Sequence, residues 1–83
     1  MDLKDKMLQT PLHRASALGH TKMMVLLLDK GAAINAKDKE GNTPLHLAYE
    51  NGHEDAVSLL IQKGADTNCT NKEKKTPHEM IKK

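Results

Sequence analysis

The tetrapeptide Thr10-Pro11-Leu12-His13 recurs as Thr43-Pro44-Leu45-His46, and Thr76-Pro77 opens it a third time, thirty-three residues further on in each case. A fixed period of that size requires a stack of like supersecondary units. Each unit buries its apolar face on its neighbours instead of closing a core of its own. Overlaying residues 10–42 on 43–75 gives fifteen identities in thirty-three positions. They include Ala15/Ala48, Gly19/Gly52, His20/His53, Leu26/Leu59, Leu27/Leu60, Gly31/Gly64, Asn35/Asn68, Lys39/Lys72 and Glu40/Glu73.

The local chemistry of the repeat predicts paired helices. Thr10 and Thr43 suit the N-cap, where a hydroxyl accepts from an orphaned backbone N–H. Pro11, Pro44 and Pro77 suit the first helical position, where a missing N–H costs nothing. First helices over about 11–18 and 44–51 would then end at Gly19 and Gly52. Second helices follow over about 21–30 and 54–63, closed by Gly31 and Gly64. Their apolar residues are denser than a single buried stripe requires, as expected for helices sandwiched between units. Helices this short are marginal alone, so stacking must hold them. Leu12, Ala15, Leu26 and Leu27 are expected to pack against Leu45, Ala48, Leu59 and Leu60.

These residues resemble the ankyrin repeat, with its T-P-L-H-x-A opening, then G-H, L-L, G-A and N. The resemblance runs over nearly the whole chain. It implies an all-α solenoid of stacked helix-turn-helix units with projecting β-hairpin loops at 34–42 and 67–75. The layout is a single domain over 1–83: a leading hairpin strand at 1–9, repeats at 10–42 and 43–75, and a terminal capping half-helix at 76–83.

The ends of such a stack need polar outer faces. Arg14 and Ser16 stand where the second repeat has Leu47 and Tyr49, and His78 stands where Leu12 and Leu45 stood. Met7, Leu8, Leu18, Met23, Met24 and Val25 leave apolar surface near the first repeat, which suits a binding patch, the end face of a weak homodimer or the cut edge of a longer array. Tyr49 is the only aromatic residue of the chain. It is expected to fill the space between units, with a role as an interface anchor as the alternative.

Several function classes lose their footing. The net charge is +2. The lysines toward the C-terminus come without an aromatic platform or a groove-reading helix, so nucleic acid is not an expected partner. The longest apolar run, Met23–Leu28, is too short to span a membrane. Cys69 is the only cysteine. It cannot form an internal disulfide, which fits a reducing compartment, cytosol or nucleus. His13, His20, His46 and His53 recur at the period, as structural parts do, and none has the H-x-x-x-H or C-x-x-C spacing of a zinc site. No nucleophile elbow or phosphate loop is present, so neither catalysis nor a cofactor is expected.

The resemblance implies a protein-binding module, with contacts from the loop tips and the concave face of the first helices. Carried onto this chain, the partner-binding positions are Lys6, Met7 and Gln9 before the first helix, and Leu18 at its end. Lys37, Lys39, Glu40 and Asn42 follow in the first loop, Glu50 and Asn51 at the end of the third helix, and Lys72, Glu73 and Lys75 in the second loop. Residues 38–48 and 71–77 also resemble the last repeats of gankyrin-type proteasome assembly chaperones. That narrower resemblance implies the C-terminal domain of a proteasomal ATPase subunit as a partner.

Overall fold

The computed structural model describes residues 8–81. Four α-helices and one 3-10 turn follow in order: α1 (Pro11–Leu18), α2 (Thr21–Asp29), α3 (Pro44–Glu50), α4 (Glu54–Gln62) and the turn Pro77–Met80. α1 packs on α2 and α3 packs on α4 within each unit. Between units α1 packs on α3, α3 on the 3-10 turn, and α2 on α4. The chain is thus two helix pairs and the beginning of a third, offset by one period.

The threonine–histidine pair sets both the start of each first helix and the spacing of the units. The N–H of His13 donates to Thr10 Oγ1 at 3.3 Å, and the N–H of Thr10 donates to His13 Nδ1 at 3.1 Å, closing a capping box. Because that backbone N–H can only donate, Nδ1 accepts and the ring proton sits on Nε2. His13 Nε2 then donates at 2.8 Å to the carbonyl of Asn42, the last residue of the loop leading into the next unit. His46 repeats every contact with Thr43 and reaches the carbonyl of Lys75 at 2.8 Å. Both rings are wholly buried. Glu79 takes the histidine's place in the third unit. It accepts from the N–H of Thr76 at 2.8 Å and from its hydroxyl at 3.2 Å, which keeps the cap without the onward reach.

The core is aliphatic and runs across both units: Leu12, Ala15, Met24, Leu45, Ala48, Ala56 and Leu60. Each fully buried leucine or methionine contributes about 1.5–3 kcal/mol. Gly19 ends α1 at φ +73°, and a Cβ there would lie 2.7 Å from His53 Nδ1 of the next unit. The position therefore needs glycine for its backbone conformation and for the approach of the next unit.

Several expectations change. No strand forms among the described residues, so the loops are not β-hairpins. Each closes through two backbone hydrogen bonds and an Asx turn, which leaves no ladder to extend. The leading strand at 1–9 lies mostly outside the described residues, and Leu8 and Gln9 are not in a strand. The terminal half-helix is a single 3-10 turn, with Ile81 already extended. Leu26, expected in the stack, is 53% exposed, whereas Met24, expected on the apolar surface, is 0% exposed. Met24 lies on the side of α2 that the second unit covers, and Leu26 faces away from it. Ser16, expected on a polar outer face, is wholly buried with its hydroxyl unpaired.

A candidate protein-interaction ledge

The two inter-unit loops are built alike. Asp38 Oδ1 accepts from the N–H groups of Glu40 and Asn42, both at 2.9 Å, and its own N–H donates to the Asn42 carbonyl at 2.9 Å. Asn71 does the same for Glu73 at 2.9 Å and Lys75 at 3.0 Å, with its N–H donating to the Lys75 carbonyl at 3.0 Å. An Asx side chain that caps its own loop fixes the tip without a sheet.

Three hydrogen bonds then clamp one loop to the other. Asn71 Nδ2 donates to Asn42 Oδ1 at 2.8 Å, the N–H of Lys72 donates to the Glu40 carbonyl at 3.0 Å, and the N–H of Asp66 donates to Asn35 Oδ1 at 2.8 Å. Gly41 lies under this contact. A Cβ on it would stand 3.0 Å from the backbone nitrogen of Lys72. The equivalent residue of the second loop is Lys74, a lysine held at φ +63°.

The clamp leaves two columns of charge on the outside. Lys39 and Lys72 are equivalent and exposed, as are Glu40 and Glu73. Lys37, Lys74 and Lys75 are exposed beside them. Asp38 is buried among the loop N–H groups, so the outer face of the two loops carries more lysine than carboxylate. Of the residues expected in the ledge, Lys37, Lys39, Glu40, Lys72, Glu73 and Lys75 are therefore all exposed on the two loops. Lys6 and Met7 lie outside the described residues.

Asn42 is a correction. It is buried, its amide oxygen is held by Asn71 and its carbonyl by His13, so it supports the ledge from beneath and offers it no surface. Gln9 is half-buried and donates to Asp38 Oδ2 at 3.3 Å. It also lines a shallow hollow of about 190 Å³ with Arg14, Ala17 and Leu18. Leu18 is 58% exposed there, an apolar spot in a hollow that Gln9 joins to the first loop. Asn51, at the equivalent place in the second unit, turns its amide back to the Leu47 carbonyl at 2.9 Å, and Glu50 beside it is half-buried.

A second concavity, of about 380 Å³, lies away from the loops, between α3, α4 and the 3-10 turn. Tyr49 lies against it, half-buried, its ring edge-on to His78 with centroids 5.6 Å apart. No sequence signal marks this groove, because its walls come from segments some thirty residues apart. Among the described residues no cluster of three His, Cys, Asp or Glu side chains could hold a metal ion, and no helix is long and apolar enough to cross a membrane.

Comparison with curated proteins gives no match. The family model described as ankyrin repeats (3 copies) matches residues 1–71. The match spans both helix pairs and the first residue of the second Asx turn, and ankyrin repeats are generic protein–protein interaction modules. With the 33-residue period, the Thr-Pro-Leu-His caps and the stacked helix pairs, it follows that the chain belongs to the ankyrin repeat family.

Proposed function

We propose that this chain recognises an acidic surface of a partner protein through the clamped loop ledge, with the Leu18 hollow as its apolar anchor. The observation that carries this reading is the set of three cross-loop hydrogen bonds. They hold the loops that carry Lys39 and Lys72 in place before any partner arrives. A ledge already ordered loses little entropy on binding. Its lysines give partner choice and on-rate, while a buried apolar contact gives affinity.

The test is charge reversal of Lys39 and Lys72 together, both exposed. Affinity for a partner isolated by pull-down should fall about two- to fivefold per charge, and more steeply at low salt, while the melting curve stays put. Unchanged affinity with both charges reversed would place the contact on another face. The narrower reading, a proteasome assembly role on the C-terminal domain of an ATPase subunit, is supported by residues 38–48 and 71–77. Within those segments lie the exposed Lys39, Glu40, Lys72 and Glu73. That domain belongs among the candidates offered in the pull-down. The unbridged Cys69 supports a reducing compartment, cytosol or nucleus.

A further inference from the structure

Asn51 is followed by Gly52, and no other asparagine of the chain precedes a glycine. Glycine has no side chain to shield its backbone nitrogen, so that nitrogen can reach the amide carbon of the residue before it. Asparagine amides are among the thermally labile groups of proteins, and this pairing exposes one most. The pair ends α3, and both residues are exposed to water. The equivalent residue of the first unit is Leu18, which has nothing to react.

The fold holds the reaction off in three ways. The Leu47 carbonyl accepts from Asn51 Nδ2 at 2.9 Å and from the Asn51 backbone N–H at 3.1 Å, which ties the amide to the last turn of α3. The Gly52 N–H donates to the Tyr49 carbonyl at 3.1 Å, so the attacking nitrogen is engaged. Asn51 also stands at ψ 3°. Ring closure needs the Gly52 nitrogen eclipsed with the Asn51 Cβ. The substituents of Cα lie about 120° apart around the Cα–C bond, so the peptide must turn by about that angle first.

We propose that Asn51 is a self-modification site, converted from amide to carboxylate only while the last turn of α3 is open. In the open turn the Gly52 nitrogen bonds to Asn51 Cγ, the Cγ–Nδ2 bond breaks, and ammonia leaves with the Gly52 proton. Water then opens the ring at either carbonyl. One opening gives aspartate, and the other gives isoaspartate, with the main chain routed through Cγ. The observed rate is the open fraction multiplied by the chemical rate, so the site keeps time by the local stability of α3.

The product does not fit the place it came from. A carboxylate cannot donate to the Leu47 carbonyl. It also sets a negative charge at the negative end of α3, with Glu50 before it in the chain and Glu54 soon after. Isoaspartate adds a further atom to the backbone. That atom takes the N–H groups of Gly52 and His53 out of register with the Tyr49 and Ala48 carbonyls, which they reach at 3.1 and 3.0 Å. Conversion therefore runs one way and leaves the end of α3 looser than before.

The test is incubation of the full chain at mildly alkaline pH, with digestion, chromatographic separation of aspartate from isoaspartate, and mass spectrometry. Conversion should appear at Asn51 and lag at Asn35, which is also exposed but precedes an alanine and holds the Asp66 N–H at 2.8 Å. A short peptide spanning residues 47–56 should convert at least about tenfold faster than the folded chain, and urea below the unfolding midpoint should speed the folded chain. Asn51→Asp, standing in for the product, should lower the thermal midpoint by about 5 °C or more. Four results would overturn the proposal: equal rates in peptide and folded chain, equal rates at Asn35 and Asn51, no response to urea, or an unchanged midpoint for Asn51→Asp. None of these measurements involves the loop lysines or a partner, so this proposal and the ledge fail separately.

Discussion

Ser16→Ala should make this protein more stable. Ser16 lies within α1, wholly covered, and its hydroxyl meets no hydrogen-bond partner. A buried hydroxyl left unpaired costs about 1–3 kcal/mol in proteins. Alanine removes it, gains roughly 0.5 kcal/mol of helix propensity, and leaves a void of a single atom. The expected net gain is about 1–2 kcal/mol. A domain of this length has about 4–12 kcal/mol in total, so the change is a large fraction of it. Thermal unfolding should shift upward by about 5–15 °C, and the urea midpoint by about 1–2 M for a slope near 1 kcal/mol/M. Ser58→Ala is the control. Ser58 is exposed in the middle of α4, so its replacement gains helix propensity alone. If Ser16→Ala gains no more than Ser58→Ala, the Ser16 hydroxyl is satisfied in solution and the reasoning fails.

Two further outcomes follow from the caps. Gly19→Ala and Gly52→Ala impose the same left-handed backbone strain, at φ +73° and +72°, but only the first drives a Cβ into His53. In urea melts Gly19→Ala should be worse by about 1 kcal/mol or more, and equal losses would show that the imidazole turns aside freely. Glu79 is held below its ordinary value of 4.5, first by the backbone N–H of Thr76 and then by its hydroxyl, with Lys75 and His78 adding positive charge nearby. A carboxyl lowered in the folded state stabilises it above the ordinary value and loses that contribution as the pH falls through the lowered one. The 3-10 turn should therefore loosen below about pH 4.5, read as a change in the Met80 methyl and Ile81 amide signals. Glu79→Gln should abolish that pH response, and its persistence in this variant would assign the response to another group.

The caps, the helix pairs and their order were legible because each depends on a residue type whose chemistry is local. Thr10 and Thr43 cap, Pro11 and Pro44 start, and Gly19 stops, whatever lies around them. Orientation was less legible. α2 is apolar at six successive positions, Met23 to Leu28, so no period in it distinguishes Met24, which goes in, from Leu26, which stays out. Only the position of α4 decides that. Asn42 read as a loop-tip residue because polar side chains in loops are usually solvated. Its burial depends on Asn71, twenty-nine residues away, supplying the matching amide. The same spacing links His13 to Asn42 and His46 to Lys75, and it is visible only once the loops are stacked.

The buried histidines bear on how the molecule comes apart. One nitrogen of each ring seals the start of its own helix, and the other holds down the loop that leads into the succeeding unit. If the second unit melts, the proton on His13 Nε2 loses the carbonyl it was pointing at, and the ring is left inside a shell that no longer closes. Loosening one helix pair therefore strips a buried hydrogen bond from the other, which couples the two.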